Sequence, residues 1–356
     1  MTPVRDVGHD PGRRHSPIVV GYAATATGRD ALTLGIALAR RQNVSLHLVL
    51  VAPEDTGFSP SHGYDRSYDR ILHEQLEQWL TEALGEVPAD ITASGHVVRA
   101  VDAAEGLLGA ARALDAGLIV IGARSGGLLR SHRLGQMASA LLHTSPVPVA
   151  MAPTGYRHTG PIGRVTTMFG QRPGVTDLIA VGLETARERR IPLRLVSLVM
   201  IDDPGAADAD LEDTAAINMA VINGVYDYAT ARLAAEASDM VDAGYATTVI
   251  ATGRSVTDAL AELDWDDDEI VLVASSRLAT LGHLFLGKTA TRMMRTTPVP
   301  VVVVPAGYTH PATPGTATGT TTGTAPGTAP GTATGTAPGT ATGTAPGDTS
   351  GSEGGR

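Results

Sequence analysis

The sequence predicts an α/β protein made of two successive, doubly wound parallel sheets. Two observations carry this prediction. Short apolar runs alternate with amphipathic helical patterns along the first 305 residues. In addition, TSPVPVAMAPTGYRH at 144–158 returns as TTPVPVVVVPAGYTH at 296–310, and LHLVLV at 46–51 returns as LRLVSL at 193–198. Because strand–helix alternation with continuous apolar strands is typical of a parallel sheet covered on both faces, each half is expected to form one such sheet.

The first half contains the elements of this sheet in order. Apolar runs predict five strands, at 17–22, 44–52, 91–101, 118–122 and 146–153. Helical periodicity predicts helices at 28–42, 66–84 and 103–117, and a fourth helix near Gly135. Asp102 and Glu105 resemble a capping box at the start of the third helix, and Gly117 is expected to end it. Ligands of such sheets bind beyond the carboxyl ends of the strands, here at the loops after the first and fourth strands.

The second half repeats this order, with Ser255 and Asp258 as the matching helix cap. The expected organisation is a flexible N-terminus at 1–16, a first domain at 17–153, a linker at 154–163, a second domain at 164–305 and a tail at 311–356. The tail consists mainly of Thr, Ala, Gly and Pro. It has almost no apolar side chain larger than Ala that could offset the entropy of ordering, so it is predicted to be disordered.

The composition excludes several classes of function. The formal net charge is -10, which disfavours nucleic acid and anionic membranes as partners. The chain has no cysteine, which excludes disulfides and thiolate chemistry. No apolar run approaches the roughly 20 residues that span a bilayer, and the start lacks the apolar core of a secretory signal. We expect a cytoplasmic protein.

The string GHLFLGKT at 282–289 satisfies the phosphate-loop pattern G-x-x-x-x-G-K-[ST]. A phosphate loop joins a strand directly to a helix early in its domain. Here SSRLATL separates the string from the strand that ends at Ala274, and too little chain follows for the rest of such a domain. We therefore expect no P-loop hydrolase, only a helix start at Gly287 whose N–H groups could attract phosphate.

Three longer segments resemble a known family. The segments 120–153 and 271–305 each run from the fourth strand to the terminal P-V-P-V strand, and 19–32 reads VVGYAATATGRDAL. They resemble universal stress protein domains, and the resemblance covers 17–153 and 162–305. It implies a flavodoxin-like, adenine-nucleotide-hydrolase-like α/β fold in tandem. Many family members bind ATP through Gly, two residues, Gly, nine residues, then Gly with Ser or Thr, and an Asp after the first strand holds the ribose.

Both halves depart from that signature. In the first half the matching positions hold Gly122, Ser125, Gly135 and Gln136, with Ala23 in place of the Asp, while Gly126 and Gly127 could partly compensate by shifting the loop. In the second half they hold Ala274, Arg277, Gly287 and Lys288 followed by Thr289, with Gly170 near the Asp position. Arg277, Lys288 and Thr289 could hold an anion or form a solvated helix start, and we favour the solvated helix start.

Other candidate chemistry is sparse. The acidic run DWDDDE at 264–269 could bind a divalent ion but lacks an alternating ligand pattern, and it is expected to be a solvent-facing turn without metal. The histidines at 132, 143 and 283 have no metal-ligand spacing. No pair of carboxylates is placed for acid–base work, so we expect no enzyme.

The resemblance implies a universal stress protein that acts as a non-enzymatic stress-response binding or scaffold protein with degenerate nucleotide sites. The alternative is a member that binds ATP or AMP through its first half, with slow or no hydrolysis. The last strands carry Pro148 and Pro300, and proline is typical of sheet edges. Since family subunits often pair at this edge, the halves are expected to form an intramolecular pseudo-dimer, and a homodimer remains the alternative.

Overall fold

A computed structural model gives the fold of most of the chain. All but Ser16 of the expected flexible N-terminus, and the whole predicted tail at 311–356, lie outside the described residues. The described residues belong to one compact unit. They are 16–40, 44–54, 66–123, 125–126, 131–132, 135–170, 178–201, 211–275, 288–305 and 308.

The described strands and helices of the first half follow the predicted order. A short hairpin of two strands, each two residues long, follows the fourth strand. They are β1 (Ile18–Gly21), α1 (Ala26–Ala39), β2 (Leu46–Pro53), α2 (Arg66–Glu86), β3 (Ala93–Ala100), α3 (Ala103–Ala113), β4 (Leu118–Gly122), β5 (Ser125–Gly126), β6 (Ser131–His132), α4 (Gln136–Thr144) and β7 (Val149–Ala152).

The second half repeats this order in its described residues, with one additional short helix. Its elements are β8 (Arg164–Met168), α5 (Leu178–Arg189), β9 (Leu193–Met200), α6 (Leu211–Glu236), α7 (Ser238–Asp242), β10 (Ala246–Gly253), α8 (Val256–Ala261), β11 (Glu269–Ala274), α9 (Lys288–Thr296) and β12 (Val301–Val304). None of the helices in the described part of the chain combines the length and apolarity that crossing a bilayer requires.

Ten strands form one sheet in the order β10-β9-β8-β11-β12-β7-β4-β1-β2-β3. Within each half of this sheet all pairings are parallel. One buried core contains residues of α1, α2 and α5, and a second core contains residues of α3, α4, α8 and α9. The helices therefore cover both faces of the sheet, and the connection from β3 to β4 carries the chain from one side of β1 to the other.

The last strands of the halves are neighbours at the centre of the sheet. β7 and β12 pair antiparallel, with Val301 opposite Met151 and Val303 opposite Val149. Pro148 and Pro300 lie one residue before the two strands, and not inside the strands as predicted. Each strand is the edge of its own half, and the pairing covers both edges.

The predicted end of α3 is wrong. Its start is as predicted, because the Asp102 side chain accepts a hydrogen bond from the Glu105 N–H at 2.9 Å. The helix, however, ends at Ala113, four residues before Gly117. Asp115 takes the left-handed conformation with φ 51°, a conformation that Asp tolerates better than most residues. The turn therefore reverses at Asp115 and needs no glycine there.

The acidic run at 264–269 is only partly the solvent-facing turn that was expected. Glu269 is fully buried, and its carboxylate accepts from Arg194 Nη2 at 2.6 Å and from Arg164 Nη2 at 2.5 Å. The Thr166 hydroxyl donates to the same carboxylate. Asp266 is half exposed and pairs with Arg164 at 2.8 Å. The run thus ends in a buried ion-pair network at the amino ends of β8, β9 and β11.

Residues 154–163, expected to be a linker, pack against the first half. Tyr156 and Ile162 are buried. The buried Asp30 carboxylate of α1 accepts hydrogen bonds from the Gly155 N–H and from the Arg157 guanidinium, both at 2.9 Å. Two positions of the segment are therefore fixed to α1 of the first half.

Candidate functional site

A cavity of the first half lies where the strand order reverses. β1 pairs with β2 on one side and with β4 on the other. The connection after β1 therefore runs to one side of the sheet, and the connection from β4 to β7 runs to the other. A crevice opens beyond the carboxyl ends of such strands, and ligands of open α/β sheets bind there. Here the crevice has a volume of 720 Å³, within the range of small-molecule sites.

Most of the cavity wall comes from the loops and helix starts of the first half. Two residues of α9 complete it. The lining residues are Thr25, Thr27, Asp102, Ala103, Ala104, Gly122, Ala123, Gly135, Gln136, Met137, Ala138, Ala140, Met151, Met294 and Arg295.

The starts of three helices meet at this cavity. α1 is capped by the Thr25 hydroxyl, which accepts from the Gly28 N–H at 3.2 Å, and α3 is capped by Asp102. The cap residue of α4, Gly135, has no side chain that could accept a hydrogen bond. The first N–H of α4 with a helical partner is that of Ser139, which donates to the Gly135 carbonyl. Within the described part of the chain, the earlier N–H groups of α4 have no partner inside the helix and can donate to an anion, and the helix dipoles favour negative charge at this place.

Two glycines allow the start of α1 to approach the strands closely. A Cβ atom on Gly122 would lie 2.1 Å from the Thr27 carbonyl oxygen, and one on Gly28 would lie 1.9 Å from the Ala23 carbonyl oxygen. Cβ atoms do not approach oxygen this closely, so any larger residue would force the backbone apart. Gly122, predicted as a ligand-binding glycine, therefore also has a packing role at the floor of the cavity.

The structure brings together some of the predicted residues of the first half. Gly122, Gly135 and Gln136 line the cavity. Ala23 is exposed in the turn after β1 and lies outside the lining. Ser125 and Gly126 form β5, which pairs with β6 in the loop between β4 and α4. Gly127 lies outside the described residues.

Two of the predicted residues of the second half have no described placement. Arg277 and Gly287 lie outside the described residues, as does the phosphate-loop string up to 287. Lys288 is the first residue of α9, and Thr289 follows it as an exposed residue. Gly170 is exposed after β8, and Ala274 ends β11 half-buried. The favoured interpretation of Lys288 and Thr289 as a solvated helix start stays a prediction.

Sequence reasoning missed several lining residues. Thr25 and Thr27 follow the first strand, and small polar residues at that position could have been noted. Asp102 was identified as a helix cap, but its position beside the cavity depends on the crossover of α3. Met294 and Arg295 could not be found from the local pattern, because they reach the cavity only through the pairing of the two halves.

The cavity offers little for catalysis. Asp102 is the one carboxylate among its described lining residues, and one of its oxygens already caps α3. Within the described part of the chain, no group of three or more His, Cys, Asp and Glu side chains could hold a metal ion. Besides Asp102 and Arg295, the described lining offers peptide N–H donors, two threonine hydroxyls and one amide side chain.

Comparison with known proteins identifies the first half. Residues 15–153 match the model of the universal stress protein family, so this part of the chain is a universal stress protein domain. The universal stress proteins Rv2319c of Mycobacterium tuberculosis H37Rv and Mb2346c of Mycobacterium bovis are each 26% identical over 292 residues, which cover 81% of this chain and 99% of the relative. The alignment is thus longer than either half.

Solved structures agree on the fold. A universal stress protein from Archaeoglobus fulgidus DSM 4304 has a TM-score of 0.55 and 16% identity, covering 83% of this chain and all of its own. A putative universal stress protein from Pseudomonas aeruginosa UCBPP-PA14 has a TM-score of 0.50 at 16% identity, covering 82% of this chain and 93% of its own. A universal stress protein solved in complex with cAMP covers 39% of this chain and 99% of its own, with 18% identity and a TM-score of 0.31.

Proposed function

We propose that the chain is a non-enzymatic universal stress protein that binds a phosphate-bearing small molecule weakly in the cavity of its first half. An adenine nucleotide, with ATP or AMP as the first candidates, fits the proposal best. The observation that carries it is the meeting of three helix starts at one 720 Å³ cavity, with the start of α4 lacking a side-chain cap. Such a place favours phosphate oxygens over neutral groups.

The same site supports weak binding. The residue in place of the ribose-binding Asp is Ala23, which is exposed and lies outside the cavity lining. Gln136 replaces the short hydroxyl side chain of the family signature at the start of α4. A missing hydrogen bond to a charged group costs about 1.5–3 kcal/mol. The first half is therefore expected to bind nucleotide roughly tenfold to a hundredfold more weakly than a site with that contact.

The arrangement of the halves belongs to the same proposal. The antiparallel pairing of β7 with β12, the edge at which separate subunits of the family are expected to pair, supports an intramolecular pseudo-dimer. Since the pairing occupies both edges, a homodimer through the same strands is closed to this protein. The role we propose is that of a stress-response binding or scaffold protein whose two halves pair within one chain.

Calorimetric titration of ATP, AMP and cyclic AMP tests the proposal. Wild-type protein is expected to bind with an affinity far weaker than micromolar. The combined variant Ala23→Asp, Ser125→Gly and Gln136→Ser should gain about tenfold to a hundredfold in ATP affinity, because it restores the ribose contact and the loop of the signature.

The control is the corresponding change in the second half, Gly170→Asp with Arg277→Gly and Lys288→Ser, which should gain less because Ala274 also departs from the signature. Low-micromolar binding of ATP by wild-type protein would refute the degenerate site. Robust magnesium-dependent ATP hydrolysis would refute the non-enzymatic role.

A further inference from the structure

The cavity of the first half is completed by the second half. Two of its lining residues, Met294 and Arg295, belong to the last two turns of α9. The antiparallel pairing of β12 with β7 brings this helix beside the first half, where it also contacts β6 in the loop before α4. The site is thus shared between the halves through a contact that a single half cannot form.

Arg295 is the cationic side chain of this cavity. The described lining residues of the first half include one carboxylate, that of Asp102, and no basic side chain. Arg295 is exposed, and among the described residues it has no hydrogen-bond or ion-pair partner. Met294, the preceding residue, is 5% exposed and packs in the core that contains α3 and α4. Because Met294 anchors the helix, the next side chain is held at the mouth of the cavity.

A second arginine on α9 offers an internal comparison. Arg292 lies on α9 one turn before Arg295 and is also exposed, but it does not line the cavity. Both arginines carry the same charge, and they lie one turn apart on the same helix. Any effect that depends on net charge alone should therefore be the same for the two arginines, and any effect that depends on the cavity should differ.

We propose that Arg295, from the second half, supplies the counter-charge for the phosphates of a ligand bound in the first half. The guanidinium donates in a planar fork that matches phosphate oxygens, and the N–H groups at the start of α4 donate to the same anion from the first half. The identity of the ligand as a nucleotide rests on the proposed function. The preference for a polyanion is argued separately, from Arg295 and the start of α4. A ligand held in this way contacts both halves at once.

The alternative role of Arg295 is structural. A cation in the last turn of a helix favours the negative end of the helix dipole, and this would stabilise α9 without any contact with a ligand. Thermal stability of each variant must therefore be measured beside its affinity. The structural role predicts a change in the unfolding temperature alone, and the binding role predicts a change in affinity that grows with the number of phosphates.

The test is calorimetric titration of ATP, AMP and sodium tripolyphosphate into the full chain and into Arg295→Ala, Arg295→Lys and Arg292→Ala. At low ionic strength, Arg295→Ala is expected to lose about three- to tenfold in ATP affinity, between the effects of an exposed ion pair and of a charged hydrogen bond. The loss should be smaller for AMP, and Arg295→Lys should retain part of the affinity. At about 1 M salt, where the screening length is about 3 Å, the difference from wild type should shrink.

Arg292→Ala should change affinity less than twofold, since its charge is outside the cavity. Equal losses in Arg295→Ala and Arg292→Ala would overturn the inference and leave the proposed function standing. Binding of tripolyphosphate through Arg295 without binding of ATP would support the inference and overturn the nucleotide proposal. Absence of binding for all three probes in wild-type protein would overturn both.

Discussion

Replacement of Gly122 by Ala is expected to destabilise the protein at the floor of its cavity. The added Cβ would lie 2.1 Å from the Thr27 carbonyl oxygen and 2.7 Å from its methyl carbon. The nearest atom belongs to the backbone of α1, which cannot rotate away as a side chain can. Overpacking costs about 1–3 kcal/mol, and we expect the upper part of this range. Urea unfolding of the full chain would measure the loss as a lower midpoint with an unchanged slope.

The matched control is Gly109→Ala on the exposed face of α3. No heavy atom lies within 4 Å of the Cβ position at Gly109. Because Gly inside a helix costs about 0.5–1 kcal/mol relative to Ala, this variant should become more stable. Opposite signs for two Gly→Ala changes would establish that the close approach at Gly122 is structural. A free energy of unfolding within about 0.5 kcal/mol of wild type for Gly122→Ala, the scatter of changes away from special sites, would refute the reasoning.

Two further predictions concern buried polar groups. Glu269→Gln should lower the free energy of unfolding by about 3–5 kcal/mol, because it leaves the Arg194 guanidinium without its counter-charge. The Arg194 side chain is only 8% exposed. A free energy of unfolding in urea within about 1 kcal/mol of wild type would contradict this prediction. Burial lowers the pKa of His47, as does nearby His96, and burial lowers the pKa of His96. Since the unfolded chain then binds more protons, stability should fall as pH drops through about 6.5 and level off below the two lowered pKa values. His96→Gln should reduce that slope in midpoints measured across pH, and an unchanged slope would contradict the assignment.

Much of the fold could be predicted because the relevant signals are local. The apolar run at 118–122 is β4, and the Asp102 cap is at the start of α3, because strand burial and capping depend on residues a few positions apart. The end of α3 was mispredicted for a related reason. Gly117 is the residue type that favours a left-handed turn, but packing allowed Asp115 to take that conformation instead.

The candidate site could be predicted only in the part that one half supplies. Gly122 and Gly135 follow a strand and precede a helix, so their place at the switch point follows from the order of elements. Ala23 was placed at the site by its position in the family signature, whereas the structure has it exposed and outside the lining. Arg295 is 172 residues from Ala123, which lines the same cavity (295 − 123). That contact depends on the register of β7 with β12, which no local pattern specifies.

If the first half binds nucleotide as proposed, weak affinity has a functional meaning in the shared cavity. A ligand that contacts both Gln136 and Arg295 binds the paired arrangement of the halves and not a separated one. It therefore stabilises the pairing by RT ln(1 + [L]/Kd), which is about 2.7 kcal/mol at a hundredfold excess over Kd and close to zero well below Kd. A tight site would be saturated at all ordinary concentrations and would hold the pairing at one constant strength. A site that lacks the ribose contact has a higher Kd. In the range of concentrations around that Kd, the stabilisation of the pairing should increase with ligand concentration.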